Sequence, residues 1–345
     1  MGAGEDRVSG TTAISNARSY LRSTSRSVST KLGLEDQNNL AGFGFILPNL
    51  VVFSIFLLGP VLYAFYLSFQ HWNLFLGEGE WAWTTILGIR LPVQNYVDVL
   101  TPPPWANDWA SFRSPSYNLW WFAFRNTVAY TVVVVPCQII GGFLLALVLD
   151  SRIRGKKVFR AAYFMPVMLS SAASGVIWRW LLAKNGAVNE VLRPLGLAHG
   201  WANDPSTALG ALMLIGLWGG IGFNMILYLA GLQNIPEELY EAARIDGASG
   251  WSRIRHVTWP NLRNTHFFVT VLAIIGTFQV FGIALVFAEG GPHHATTTVV
   301  LHIYRTAFAN SSYGLGAAMA FLLFSVIFVF SYYQYRLRQQ QEVEY

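Results

Sequence analysis

Six long apolar stretches constrain this chain more than any other feature, because each is long enough to cross a lipid bilayer as a helix. A helix needs about 20 mostly apolar residues to span the hydrocarbon core. The stretches have almost no charge away from their ends and cover approximately residues 42–70, 120–149, 158–183, 207–233, 266–288 and 313–335. The alternating segments of about ten residues that are typical of a membrane β-barrel are absent from the sequence. We therefore predict an all-α membrane protein with six transmembrane helices.

The composition of the chain agrees with this class. Of its 345 residues, 53% are hydrophobic and 12% are charged, whereas soluble domains carry roughly 25% charged residues. The predicted organisation is a leader at 1–41, a six-helix transmembrane domain at 42–338 that contains a polar loop at 234–262, and a short tail at 339–345. The leader has no apolar core of the kind that a secretion signal requires.

The distribution of lysine and arginine predicts the orientation of the chain. If the N-terminus is cytoplasmic, sixteen of the 23 basic residues lie in or directly beside the predicted cytoplasmic segments. Cytoplasmic loops of membrane proteins are enriched in these residues, and the inner leaflet that they face is anionic. We therefore predict a multi-pass protein of the plasma membrane with both termini in the cytoplasm. The net charge of +5 reflects this topology and does not indicate nucleic-acid binding.

The sequence contains no pattern for catalysis or for a metal site. Cys137 is the single cysteine, and His293 and His294 form an adjacent pair without neighbouring carboxylates, so we expect no intrachain disulfide and no metal site. The nearest approach to a phosphate-binding loop, at residues 154–157, lacks the upstream glycine and the hydroxyl residue. We expect no catalytic residues and no cofactor bound by the chain itself.

Two polar regions each leave two interpretations open. In the leader, Arg18, Arg22 and Arg26 repeat every four residues, which fits either a basic helix on the inner leaflet or a disordered tail. The first external loop, about 71–119, fits either an interfacial aromatic belt or a small external cap. The tryptophans of this loop are Trp72, Trp81, Trp83, Trp105 and Trp109.

The polar loop between the fourth and fifth apolar stretches has the sequence signals of two short helices joined by a bend. Asn234 and Glu237 predict a capping box at the start of the first helix. Gly247 suits the left-handed conformation that ends a helix, and Ser249 suits the start of a second one. Pro260 predicts an interruption before the next span. A plain linker needs none of these signals, so we predict a docking element.

The same loop resembles the signature of a known family. Residues 241–248 read Glu-Ala-Ala-Arg-Ile-Asp-Gly-Ala, and Ile254 and Trp259–Pro260 follow. This string is similar to the EAA signature of permease subunits of bacterial and archaeal ATP-binding-cassette importers, except that Trp259 stands where the family usually has leucine. In that family the two short helices fit into a cleft of a cytoplasmic ATPase. The resemblance implies that the ATPase-coupling residues are Glu241, Ala242, Ala243, Asp246, Gly247 and Pro260.

The resemblance covers roughly residues 43–338 and points to the carbohydrate type of the MetI-like superfamily, similar to maltose, glycerol-3-phosphate and trehalose permease subunits. Gly290–Gly291–Pro292 and the run from Tyr313 to Ala318 look like the end of such permeases. The resemblance implies as partners a second homologous permease subunit, a dimer of ATPase subunits and an extracytoplasmic substrate-binding protein. ATP and magnesium are then expected on the ATPase subunits, and this chain is expected to be a transport subunit in the lipid bilayer.

Polar side chains inside the apolar stretches are candidates for a translocation path. Such groups are costly in a membrane unless they pair or line a wet cavity. The candidates are Asn126, Gln138, Asn224, Thr277 and Gln279. No Asp or Glu lies in the middle of a span, and neutral amides and hydroxyls suit a sugar or polyol. Packing between helices is the alternative role for each of these residues.

The resemblance adds further positions to this path. By their spacing from the EAA signature, five residues fall at or near positions that contact substrate in similar permeases. They are Gly220, Phe223, Gly276, Thr277 and Val280. Several lack the polar side chains sometimes found there, and packing between helices is again the alternative role.

We predict from these features a permease subunit of an ATP-driven importer that moves a carbohydrate, such as a sugar, an oligosaccharide or a polyol derivative, into the cell. Two alternatives stay open. One is the same machinery importing another small solute, and the other is a secondary transporter that needs no ATPase. A secondary transporter predicts intramembrane ionisable groups or broken helices in paired halves, and the sequence gives neither sign.

Overall fold

The structure, a computed structural model, describes residues 37–72, 79–86, 88–101, 119–151 and 154–342, and the side chains of those between 43 and 339. By its internal contacts the chain divides into one unit that ends at Ala64 and a second that begins at Phe65. The predictions for the basic repeat of the leader, for Trp105 and Trp109, and for the last three residues of the tail lie outside the described residues.

The first apolar stretch forms one long helix with a wide turn in its middle. Its parts are α1 at Gln37–Phe53, a π-helical turn at Ser54–Leu58 and α2 at Gly59–Leu67. The N–H of Gly59 donates to the carbonyl of Ser54, five residues back. This wide turn directly precedes Pro60, which has no N–H to donate to the helix. Residues 43–67 are long and apolar enough to cross a membrane.

The segment after the first span contains two β-hairpins and a short helix, which the all-helical prediction did not include. The elements are β1 at Gln70–Trp72, β2 at Gly79–Trp81, β3 at Thr84–Ile86, β4 at Ile89–Leu91 and α3 at Gln94–Leu100. Strand β1 pairs with β2 and strand β3 with β4, both antiparallel. Asn95 ties α3 to the start of this segment, because its Nδ2 donates to the carbonyls of Ser68 at 2.9 Å and Gln70 at 2.8 Å.

The second and fourth apolar stretches form α4 at Leu119–Asp150 and α8 at Pro205–Gln233, which pack closely against each other. A side chain at Gly142 of α4 would meet the Cβ of Asn224 on α8 at 2.8 Å. Small residues permit such close approach of helices in a membrane. Asp204 caps the start of α8 by accepting a hydrogen bond from the N–H of Ser206 at 2.8 Å. Hydrogen bonds from the hydroxyl and the N–H of Ser206 lower the pKa of Asp204.

The third apolar stretch differs from the predicted continuous helix. It forms α5 at Lys156–Met168 and α6 at Ser171–Leu181, which are bent by 101° relative to each other. Leu169 is extended, and the hydroxyl of Ser170 accepts a hydrogen bond from the N–H of Ala173 at 3.1 Å. Serine side chains compete with a continuing helix by capping a new one. The bend therefore falls where the apolar stretch contains two adjacent serines.

The remaining helices follow from residue 187 to residue 342. They are α7 at Ala187–Leu192 with a 3-10 turn at Arg193–Leu195, α9 at Glu237–Ile245, α10 at Gly250–Arg253, a π-helical turn at Ile254–Thr258, α11 at Trp259–Asn261, α12 at Arg263–Phe278, α13 at Gly282–Phe287, α14 at Val299–Tyr304 with a π-helical turn at Arg305–Ala309, and α15 at Tyr313–Glu342. Helices α12 and α13 together make the fifth span, and α15 contains the sixth.

The interior of the second unit is apolar and aromatic. Leu212, Ile215 and Tyr228 on α8 and Phe287 on α13 are fully buried, and close packing of this kind holds helices together in a membrane. Among the described residues, five helices are long and apolar enough to cross a membrane, and six spans result when the bent pair is counted as one. The predicted all-α membrane class is confirmed, with the two small hairpins as the exception.

Candidate functional site

A cavity of about 610 Å³ lies between the second, third, fourth and fifth spans. Of the nine candidates for the translocation path, seven belong to the fourth and fifth spans, and all seven line it. They are Gly220, Phe223 and Asn224 on α8, Gly276 and Thr277 on α12, and Gln279 and Val280 directly after α12. The structure therefore brings together residues from two spans that are separated by the polar loop. Their contact with a transported substrate stays a prediction.

Two helix breaks form one side of the cavity. Helix α12 ends at Phe278 and α13 begins at Gly282, while α5 ends at Met168 and α6 begins at Ser171. Gly282 lies so close to the Ser171 hydroxyl that any side chain at this position would collide with it. Two helices thus begin side by side at the cavity wall. The break at residues 169–170 and the break at 279–281 were not predicted from the sequence.

The polar groups on the cavity wall are neutral. They come from Tyr130, Gln138, Ser171, Ser174, Asn224, Thr277 and Gln279, and no described charged side chain lines the cavity. The Thr277 hydroxyl donates to the Ala273 carbonyl at 2.8 Å, and Gln138 Nε2 donates to the Gly216 carbonyl at 2.9 Å. In contrast, Asn224 is only 3% exposed and its Nδ2 has no hydrogen-bond partner. Buried amide donors are rarely left unpaired, and contact of this amide with a substrate stays a prediction.

Glycines keep the cavity open. A side chain added at Gly219 or Gly276 would meet no atom within 4 Å. A side chain at Gly220 would instead collide with the amide of Gln138. Gly219 and Gly276 therefore leave space in the cavity, whereas Gly220 permits the close approach of α4 and α8.

Sequence reasoning missed the contribution of the third span to the cavity. Leu169, Ser171 and Ser174 line it, together with Tyr130 of the second span and Gly216 of the fourth. The two serines interrupt an otherwise apolar stretch, and this was the signal that could have identified them. Tyr130 and Gly216 have no comparable signal, because an aromatic residue or a glycine in a span most often serves packing.

Asn126, a candidate for the path, does not line the cavity. Its Nδ2 lies 3.1 Å from the His294 carbonyl, 3.2 Å from that of Ala295 and 3.1 Å from that of Thr297. The next residue, Thr127, accepts a hydrogen bond from the N–H of Val299 at 3.0 Å. These contacts fasten the loop after α13 to the second span, so Asn126 has a structural role.

This loop, residues 288–298, contains a cis peptide bond at Gly291–Pro292 and left-handed backbone at Glu289, His293 and His294. The helix that follows it carries His302. Burial lowers the pKa of His302 to about 4, and the nearby His294 and Arg305 lower it as well. Burial also lowers the pKa of His294. These surroundings favour the neutral forms of His294 and His302.

The polar loop between the fourth and fifth spans forms two short helical segments joined by a bend, as predicted. Gly247 has a φ of +74°, the left-handed conformation that a glycine adopts without strain. The Ser249 hydroxyl accepts a hydrogen bond from the N–H of Ser252 at 3.2 Å and begins the second segment. The Tyr240 hydroxyl lies 3.0 Å from that of Thr258 and joins the two segments.

Two details of this loop were predicted wrongly. Asn234 ends α8 and does not cap α9, because its Nδ2 donates to the Ala230 carbonyl at 3.0 Å. Pro236 stands at the start of α9, where its fixed φ suits helix entry and no side-chain cap is made. Pro260 lies inside α11 after the π-helical turn, and the helix breaks at Leu262 instead. The wide turn lets a helix continue through a residue that has no N–H.

The predicted coupling residues lie on the outer surface of this loop. Glu241, Ala242 and Asp246 are exposed, and Ala243 is partly buried. Ile245 is 87% exposed and Trp251 is 71% exposed. These two exposed apolar side chains lie on the same loop as the predicted coupling residues.

The root of the loop is fixed to the two cavity-lining helices. Trp259 packs on the His266 ring with centroids 4.0 Å apart. The Nδ1 atom of His266 lies 2.9 Å from the Tyr228 hydroxyl. Tyr228 belongs to α8 and His266 to α12, so these contacts join the root of the loop to both helices.

Comparison with known proteins places these features in one family. Residues 116–342 match the family described as the inner membrane component of binding-protein-dependent transport systems. This range contains the cavity, the polar loop and the last five spans.

Two relatives and one solved structure are similar over most of their length. The lactose transport system permease protein LacF of Rhizobium radiobacter is 30% identical over 93% of this chain and 100% of its own. The trehalose/maltose transport system permease protein MalF of Thermococcus litoralis is 31% identical over 84% of this chain and 90% of its own. A bacterial alginate ABC transporter, in complex with an alginate pentasaccharide-bound periplasmic protein, has a similar fold, with a TM-score of 0.70 and 19% identity over 88% of this chain and 96% of its own.

Proposed function

Because this chain belongs to the family of inner membrane components of binding-protein-dependent transport systems, we propose that it is the permease subunit of an ATP-driven carbohydrate importer. The chain is a multi-pass membrane protein. Its proposed role is to form half of a translocation path and to receive the force that opens and closes that path.

One observation carries the proposal. The helices on either side of the polar loop, α8 and α12, are the same helices that provide the predicted path residues of the 610 Å³ cavity. The loop is anchored to both through Tyr228, Trp259 and His266. A push on the loop therefore moves the cavity wall, which is the coupling that an importer driven from the cytoplasm needs.

The wall chemistry supports a neutral, hydroxyl-rich substrate. The cavity offers amides, hydroxyls and the half-exposed ring of Phe223, without a charged side chain among the described residues. Apolar pockets with a few placed polar groups bind and orient small ligands. The relatives named for lactose and for trehalose/maltose support the same substrate class.

The ATPase-coupling surface is proposed to comprise Glu241, Ala242, Ala243, Asp246, Gly247 and Pro260. Its exposed Ile245 and Trp251 support this role, because they need a covering partner. An ATPase dimer would hold ATP and magnesium, and closure of that dimer would shift the loop as a rigid body. A second homologous permease subunit would complete the cavity.

The loop and both termini are proposed to lie in the cytoplasm, and the excess of basic residues in these segments supports this orientation. The opposite side would face an extracytoplasmic substrate-binding protein. The alginate transporter with its periplasmic protein supports such a partner.

The experiment replaces the coupling carboxylate. Glu241→Ala, purified with its accompanying subunits and reconstituted in liposomes, should lower carbohydrate-stimulated ATP hydrolysis while the chain stays in the membrane. Lactose, trehalose and maltose are the probes. Glu238→Ala is the matched control, because Glu238 is also an exposed glutamate of α9. Equal activity of the Glu241 variant and the unaltered protein would remove the assignment of that residue, and uptake by the chain without any ATPase would overturn the function.

A further inference from the structure

The second hairpin, β3–β4, has one apolar side that the rest of the described protein does not cover. Its register pairs Thr84 with Leu91, Thr85 with Arg90, and Ile86 with Ile89. Side chains alternate between the two sides of a strand, so Thr84 shares one side with Ile86, Ile89 and Leu91, and Thr85 and Arg90 share the other.

The exposure of this apolar side calls for a covering partner. Ile86 is 40% exposed, Ile89 is 61% exposed and Leu91 is 39% exposed. A two-stranded hairpin with no further cover is at best marginally stable in water. Something of apolar character therefore has to lie against this side in the working protein.

An exposed aromatic strip connects the hairpin to the end of the first span. Tyr66, in the last turn of α2, meets the ring of Trp81 at 5.6 Å between centroids, and Trp81 lies 6.4 Å from Trp83. The guanidinium carbon of Arg90 lies 5.1 Å from the Trp83 ring centroid. The three aromatic residues are each exposed by 44 to 45%. The strip is therefore continuous with the end of a membrane-crossing helix.

The chemistry of the strip is that of a membrane interface. Tryptophan and tyrosine concentrate where hydrocarbon meets headgroups, since their rings are apolar and their edges are polar. Arg90, on the side opposite the isoleucines, carries the charge that complements lipid phosphate. Glu80 precedes Trp81 in β2 and so points to the other side of that strand. The Asp98 carboxylate accepts a hydrogen bond from the side-chain amide of Gln94 in the same helix.

We propose that the β3–β4 hairpin is an interfacial anchor that lays Ile86, Ile89 and Leu91 into the lipid leaflet opposite the polar loop. Trp81 and Trp83 then lie at headgroup level, and Arg90 faces the phosphates. The identity of the leaflet depends on the orientation given with the proposed function, whereas contact with lipid does not. The anchor would hold the outer end of the first span at a fixed depth while the cavity-lining helices move.

Site-specific labelling tests the anchor in the full-length chain with its accompanying subunits. Cys137→Ser removes the single cysteine, and Ile89→Cys or Thr85→Cys then carries an environment-sensitive fluorophore. Thr85 is the matched control, because it is exposed on the opposite side of the same hairpin. The protein is placed in nanodiscs of phosphatidylethanolamine and phosphatidylglycerol that contain lipid brominated close to the headgroup end of its acyl chains.

Lipid contact predicts that brominated lipid quenches the label at position 89 at least about twofold more than the label at position 85, while aqueous iodide shows the reverse order. Equal quenching at both positions would overturn the anchor. So would a label at 89 that only iodide reaches until a periplasmic protein is added, since a protein would then cover this side. Neither outcome depends on ATP or on transport, so failure of the anchor and failure of the proposed function are distinguishable.

Discussion

At the scale of single residues, two buried asparagines in neighbouring spans have different roles. The Nδ2 of Asn126 donates to three carbonyls of the loop after α13. Asn224 is equally buried, yet its Nδ2 has no partner and its side chain lines the cavity. The surroundings of each amide, and not its residue type, decide whether it is hydrogen-bonded within the fold or left without a partner.

Asn224→Ala is expected to weaken substrate binding without loss of the folded protein. Removing one neutral hydrogen-bond donor should raise the apparent KM for sugar uptake about three- to tenfold. Uptake kinetics in proteoliposomes measure this change. Asn126→Ala is the matched control. It should lower the free energy of unfolding by about 1–3 kcal/mol, because the carbonyls of the loop after α13 lose their hydrogen-bond donor. An Asn224 variant that loses stability with an unchanged KM would contradict the assignment.

Gly276→Leu is expected to slow transport by filling the cavity. A Cβ at Gly276 would meet no atom within 4 Å, so a leucine side chain would extend from this position into the cavity. Leucine also favours the helix over glycine by up to about 1 kcal/mol, so stability should not fall. The maximal rate of uptake is the measurement. Gly210→Leu is the control, because Gly210 has equal space around it and does not line the cavity; equal rates for the two variants would disprove the blocking role.

At the scale of elements, the bend of the polar loop depends on one backbone conformation. Gly247 has a positive φ, and the N–H of Ala248 donates to the carbonyl of Ala243 at 2.9 Å to close the turn. Together with the hydrogen bond from the N–H of Gly247 to the Arg244 carbonyl at 3.1 Å, this contact forms the Schellman ending of a helix. The bend sets the direction of the second helical segment, and with it the shape that an ATPase would recognise.

Gly247→Val is expected to reduce assembly with the ATPase. A β-branched residue in the left-handed region costs about 1–2 kcal/mol or more, so the bend should open or shift. The yield of ATPase that co-purifies with the chain measures the effect. Gly250→Val is the control, because Gly250 is the first residue of a helix and has no positive φ. A normal yield with the Gly247 variant would count against the bend as a docking determinant.

The loop after α13 is expected to lose stability at acid pH. The pKa of His302 is lowered from 6.5 to about 4, mainly by burial. The unfolded chain therefore binds the proton first as the pH falls, and the stability from neutral His302 is lost between about pH 6.5 and 4. The temperature of thermal unfolding, measured over this pH range, should decline less steeply in His302→Gln than in the unaltered protein. The exposed His293→Gln serves as control, and an unchanged slope in the His302 variant would refute the assignment.

At the scale of the whole molecule, the cavity and the docking surface share two helices. Helices α8 and α12 carry five of the predicted path residues at the cavity, and the loop that joins the two helices carries the exposed coupling residues. Contacts of Trp259 and Tyr228 with His266 fix this loop to both. Movement of packed helices as rigid bodies is a common means of switching, and this arrangement suits it.

Access to the cavity is therefore expected to change sides with the nucleotide state. In a Cys137→Ser background, Gly219→Cys places a thiol where the structure has open space. With accompanying subunits present, ATP and vanadate should change its rate of labelling by a membrane-impermeant thiol reagent from one side by about tenfold or more. A labelling rate that nucleotide does not change would show that the cavity does not alternate.

Features that depend on local interactions could be predicted from the sequence, whereas features that depend on distant contacts could not. The six spans, the neutral wall and the bend at Gly247 follow from local properties, namely the length of apolar stretches, the types of polar residue and the φ that glycine permits. Two local predictions failed at positions with competing roles. Asn234 bonds to the turn that precedes it, and the π-helical turn accommodates Pro260 inside a helix.

The amino-acid sequence by itself determined that this chain crosses a membrane and carries a helical docking loop, because burying uncharged helices in lipid and bending at glycine need no distant contacts. Only the tertiary structure decided which in-span polar groups face the cavity. Asn126 and Asn224 look alike in sequence, and residues from four spans must pack before one amide is satisfied and the other is left without a hydrogen-bond partner among the described residues. The breaks beside Ser171 and Gly282 also depend on this packing, since each helix end is accommodated by the other.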